Sequence, residues 1–239
     1  MKKCVLLPVL LLPASLAFGL NLTGGGGVSA SSLATRYSLD VDGFVSTEIT
    51  QDLDQLNCGV SVFLDAIFAE AALTLQTGSN KYRERLFGGS MEEAGTGRET
   101  ALCVSLLGKH PIAVAKKITI FPLVGLEYQI VLGEWRAPEG TSSYNRTDGR
   151  ETDKDGKRLQ LSDWNAFFVQ LGGGADYAMG ERFFLRGEAL YGIRLMTGYE
   201  RKSLELTKKQ FGDNDPDTGG LSSALLLRIS LGYKPRRNV

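Results

Sequence analysis

From Phe167 to Leu195 the chain reads FFVQLGGGADYAMGERFFLRGEALYGIRL, with apolar or small residues on every second position. Phe167, Val169, Leu171, Gly173, Ala175, Tyr177 and Met179 form one set, against Phe168, Gln170, Gly172, Gly174, Asp176 and Ala178. After Gly180-Glu181-Arg182 the pattern resumes: Phe183, Leu185, Gly187, Ala189, Tyr191, Ile193 and Leu195 alternate with Phe184, Arg186, Glu188, Leu190, Gly192, Arg194 and Met196. A period of two is the signature of a strand. Runs of this length exceed the usual strand of about 5–6 residues. The same alternation predicts strands at 56–64, 67–75, 101–107, 118–132 and 225–233, with a Gly-rich first strand at 20–30. That makes eight strands.

The predicted connections alternate in length. Tight turns fall at Asp65-Ala66 and Gly180-Glu181-Arg182, and a fairly short one starts at Gly108-Lys109-His110-Pro111. The other joins, 31–55, 79–99, 134–163 and 200–222, are long and polar. The third holds TSSYNRTDGRETDKDGKR, a composition suited to a solvated loop.

A soluble barrel and a membrane barrel both show period two, and differ in which face is wet. Here the apolar faces carry almost no charge over about ten residues, the length a tilted strand needs to cross a bilayer. Strict alternation of short and long connections also suits a membrane barrel. The mixed faces then point into the lumen. They carry Asp65, Glu70, Glu127, Gln129, Gln170, Asp176, Arg186, Glu188, Arg194 and Arg228, a polar network with both signs of charge. With a three-residue turn at 180–182, Asp176 lies opposite Arg186 as a cross-strand pair. Tyr128, Tyr177, Tyr191 and Tyr233 suit interfacial girdles. Phe63, Phe68, Phe121 and Phe168 also fall on predicted inward faces, either as packing or as a path for an apolar solute.

The N-terminus adds an address. Met1-Lys2-Lys3, the apolar run from Cys4 to Leu12 and the small residues near Ala17 read as a secretory signal over 1–19, leaving one domain at 20–239. Lys+Arg and Asp+Glu both number 27, so no charge bias points to nucleic acid. The single histidine, His110, lies in a turn, and nothing sets a nucleophile beside a base. No catalytic residue, metal site or cofactor is expected. Cys58 points outward and Cys103 inward on non-adjacent strands, so no disulfide is expected between them.

A signal segment, eight alternating strands, tight turns alternating with four long joins, and a last strand ending Leu231-Gly232-Tyr233 together resemble the small outer-membrane barrels of the OmpA, OmpX, OmpW and opacity-protein groups. Those barrels usually end on an aromatic residue, whereas Lys234 to Val239 follow Tyr233 here. The resemblance implies an all-β, eight-stranded, antiparallel, up-and-down transmembrane barrel in the cell outer membrane. Its implied partners are outer-membrane lipid and the outer-membrane assembly machinery. It also implies a non-enzymatic role: an adhesin, receptor or envelope protein binding a surface ligand through loops 134–163 and 200–222. The alternative, on the OmpW pattern, is a narrow channel for small hydrophobic solutes.

Overall fold

The computed structural model describes residues 22–41, 47–86, 92–138, 144–145, 165–195 and 217–235. Its strands are β1 Leu22–Val41, β2 Thr47–Ala66, β3 Ala69–Leu86, β4 Glu92–Lys109, β5 Ile112–Ala115, β6 Ile118–Pro138, β7 Tyr144–Asn145, β8 Ala166–Ala178, β9 Phe183–Arg194 and β10 Asp217–Tyr233. Eight long strands pair antiparallel in chain order, β4 with β6 and β6 with β8, and β10 pairs β1 to close the sheet. The short β5 and β7 are additions to β6. The fold is therefore a closed, eight-stranded, up-and-down barrel.

Successive ladder partners, followed once around the barrel from Phe167, run through Tyr128, Val104, Leu73, Val62, Gly26, Leu231 and Leu185 to Tyr177, ten residues further along β8. A shear of ten over eight strands tilts them by roughly 40°, so each residue climbs about 2.5 Å along the axis. Phe167 and Tyr177 consequently stand about 25 Å apart in height, the span of the apolar band of a membrane barrel. Between them the outside is apolar: Leu171 is 64% exposed, Leu106 65% and Val60 61%. The inside is mostly polar, with Arg186, Arg228, Glu70 and Asn80 all fully buried. Such an inverted barrel satisfies its backbone through ladder bonds and turns its greasy side outward, as a bilayer requires. Aromatic residues mark both rims: Tyr177, Phe183 and Tyr233 at one, Tyr128, Phe167 and Tyr191 towards the other.

Three expectations need correction. The joins 31–55 and 79–99 are mostly strand, since β1 continues to Val41, β2 starts at Thr47, β3 reaches Leu86 and β4 starts at Glu92. Beyond the apolar band water wets both faces of a strand, so hydrophobic alternation stops while the ladder does not. The tight turn after β2 is Ile67-Phe68, two residues later than expected, because Asp65 and Glu70 pair directly inside the barrel. Lys109 ends β4 and no turn follows it: β5 continues the strand beside β6 past Pro111, and the chain turns at Lys116-Lys117. The Gly180-Glu181-Arg182 turn is as expected, with Met179 N–H donating to the Phe183 carbonyl at 3.0 Å. The signal segment 1–19 and the larger parts of loops 134–163 and 200–222 lie outside the described residues.

Candidate functional site

The inward side chains form three levels, and the innermost is ionic. Arg186 on β9 donates from Nε and Nη2 to the two Asp176 oxygens at 2.7 and 2.8 Å. Its Nη1 donates to Glu70 Oε2 at 2.6 Å and its Nη2 also to Asp65 Oδ2 at 2.7 Å. Asp176 stands directly opposite Arg186, as the hairpin arithmetic requires. Arg228 Nη1 donates to Glu70 Oε1 at 2.9 Å and lies 3.3 Å from Glu188 Oε2. Lys109 Nζ is paired with Asp65. Asp65 and Glu70 are like charges directly across a ladder, which by itself destabilises a hairpin. Arg186 binds both and makes the pairing favourable. The cluster draws side chains from β2, β3, β4, β8, β9 and β10, and so ties most of the circumference together across the lumen.

Aromatic rings enclose the guanidinium. Arg186 Cζ lies 4.6 Å from the Phe63 ring centre, 5.0 Å from Phe121 and 5.1 Å from Phe184. In a water-poor site each such contact is worth up to about 2 kcal/mol. The rings have room because glycines face them: a Cβ on Gly174 would lie 2.5 Å from Phe121 and one on Gly232 2.0 Å from Phe184. Gly232→Ala should therefore push Phe184 off the guanidinium and destabilise the barrel by about 1–3 kcal/mol, read as a lower urea midpoint of unfolding. Gly187→Ala, where an added Cβ meets nothing within 4 Å, should leave the midpoint unchanged.

Above the ionic level one wall is apolar. Leu107, Phe121, Leu123, Leu190 and Leu226 pack as a single cluster. The facing wall, on β2 and β3, is polar, with Ser61, Thr74 and Gln76 buried, while on β4 and β6 Ser105 Oγ donates to Glu127 Oε2 at 2.8 Å. Between the walls a cavity of about 20 Å³ touches Gln76, Glu127, Gln170, Phe168 and Leu190. That is room for about one water molecule. At the outer level Gln129 and Gln55 both donate to Glu99 Oε1, at 2.6 and 3.2 Å, and Phe168 packs with Leu33 and Ala166. Arg194 closes β9 at this level, in register with Phe168.

Of the residues singled out from the sequence, Asp65, Glu70, Asp176, Arg186, Glu188 and Arg228 thus converge on one cluster, with Phe63 and Phe121 as its cage. Glu127, Gln129 and Gln170 stand higher, around the cavity. Phe68 is misplaced: it is 63% exposed in the Ile67-Phe68 turn and stacks on His110 at 6.1 Å, outside the lumen. Sequence reasoning missed Lys109 and Glu99 as lumen residues, and placed Phe184 on the inward face without giving it a part in the cluster. Lys109 and Glu99 were hidden because β4 was ended early on both sides, although the odd-numbered inward parity runs unbroken from Glu99 to Lys109. Cys58 is exposed on the outer face and Cys103 buried inside, both as free thiols.

No protein-family model matches the chain. No curated protein matches it either. Solved structures similar to it include the outer membrane protein OprG from Pseudomonas aeruginosa, with 12% identity over 90% of this chain and 96% of that one at a TM-score of 0.47. The outer membrane protease OmpT from Escherichia coli aligns at 8% identity over 90% and 97%, TM-score 0.43. Neisserial surface protein A aligns at 9% over 88% and 99%, TM-score 0.38.

Proposed function

We propose that this chain is a non-enzymatic outer-membrane barrel that is closed to polar solutes and acts through its outer end. The observation that carries the reading is the ionic cluster. Arg186 and Arg228 reach across the lumen and are each 1% exposed, which supports a lumen closed to water at their level. With the lumen filled, the parts left to meet a partner are those above the apolar band. These are the upper halves of β1, β2, β3, β4 and β6, whose ladders run some ten residues beyond the Phe167 level. A ligand for an adhesin or receptor would be met there and by loops 134–163 and 200–222.

A second reading, a narrow path for small hydrophobic solutes, is favoured by one feature. Phe168, Leu190, Leu226, Leu123 and Phe121 line one wall from the outer level down to the cluster. Flux into liposomes carrying the refolded chain separates the two. The closed barrel predicts uptake of small sugars and small apolar alcohols no faster than into liposomes bearing a heat-unfolded control. Apolar uptake that Leu190→Gln abolishes would replace the closed reading with the second one.

A further inference from the structure

The outer face above the apolar band is not uniformly polar. On β3 the outward residues run Leu73, Leu75, Thr77, Ser79, Lys81, Arg83, and on β4 Val104, Leu102, Thr100, Arg98. On β1 they run Val28, Ala30, Ser32, Ala34, Arg36. Each strand passes from apolar side chains through small or hydroxyl ones to a cation. With the tilt set by the shear, Arg36, Lys81 and Arg98 fall within about 2 Å of one level, roughly 8–10 Å beyond Phe167. Headgroups occupy that zone, since they thicken a bilayer from about 30 Å of hydrocarbon to 40–45 Å. The hydroxyls below sit at the rim, where Thr77 Oγ1 and Thr100 Oγ1 hydrogen-bond at 3.2 Å.

Lys81 and Arg98 are both exposed. Arg98 stands directly opposite Ser79, which puts Lys81 on its diagonal, about 7–8 Å away. Among the described side chains, Asp54 faces Lys81 in the ladder but is taken by Arg83. The two cations therefore stand as diagonal neighbours on the outward face of the β3–β4 ladder, at a spacing that lets both reach one phosphate, and they point sideways into the membrane and not into the lumen. We propose that Lys81 and Arg98 hold the phosphate of an anionic lipid in the outer leaflet, fixing the β1–β4 side of the barrel in depth and orientation. The inference rests on the membrane reading above.

The test uses the full chain in phosphatidylcholine vesicles with trace spin-labelled phosphatidylglycerol or spin-labelled phosphatidylcholine, reading the label immobilised at the protein surface. The expected result is a preference for the anionic label that Lys81→Gln/Arg98→Gln lowers about fivefold for each cation lost. Equal loss in Lys116→Gln/Lys117→Gln, at the opposite end, would assign the preference to overall charge and overturn the proposal. Displacement by millimolar inorganic phosphate would also overturn it, making the pair a site for free anions. No immobilised label of either kind would instead defeat the membrane reading itself, so the two failures are distinct.

Discussion

Replacing Arg186 with methionine should lower the unfolding free energy of the refolded barrel by about 3–5 kcal/mol, the usual result of leaving buried charges without their partner. Methionine fills a similar volume, so the loss is electrostatic and leaves no large hole. Three carboxylates lose a donor at once: Asp176 loses two hydrogen bonds, Glu70 one and Asp65 one. Lys109 still pairs with Asp65 and Arg228 with Glu70, but Asp176 is left with none of its charge-assisted bonds from Arg186. The urea midpoint in phospholipid micelles should fall accordingly, with the denaturant slope unchanged. Arg186→Lys should recover little. One ammonium cannot make the bidentate Asp176 contact and reach Glu70 as well. A second change, Asp176→Asn in the Arg186→Met background, should restore part of the loss by removing one of the stranded charges. A drop of less than 1 kcal/mol for Arg186→Met would mean that the cluster is hydrated and not a dry plug. The closed-lumen reading would then fall with it.

That cluster was legible in the sequence because a strand buried on one side leaves its signature in parity. Within the apolar band every outward position must tolerate hydrocarbon, so the few charges of β8, β9 and β10 could only point inward. The three-residue turn then fixed Asp176 against Arg186. What parity could not supply was distance around the barrel. Glu70 and Arg186 are 116 residues apart, and their contact depends on the shear, which no local pattern encodes. The glycines were equally opaque. Gly174 and Gly232 look like weak strand residues until Phe121 and Phe184 are seen occupying their missing side chains. Strand ends failed for a different reason. Above the membrane the solvent is the same on both faces, and the ladder bonds that hold β1 to β2 from Leu33 to Val41 leave no hydrophobic trace. Phe68 was misassigned by continuing a correct parity two residues too far, into a turn where parity has no meaning.

Leu171→Arg tests which side of the barrel meets lipid, because the size of its effect differs between the two possible solvents. Leu171 lies on the outward face of β8, four residues below Phe167 and six above Tyr177, close to the middle of the apolar band. It is 64% exposed, and in a water-soluble barrel an exposed leucine is replaced by arginine at almost no cost. At the midplane of a bilayer the same change costs about 2–4 kcal/mol, falling towards zero near the interfaces. The refolded protein in lipid vesicles should thus lose about 2–4 kcal/mol with Leu171→Arg, and less with Tyr177→Arg at the inner rim, where an arginine reaches the headgroups. The gradient matters more than either value. A depth-dependent loss on the outer face requires hydrocarbon there. An unchanged stability for both variants would mean that water bathes this surface, and the polar interior would then need an explanation other than a membrane.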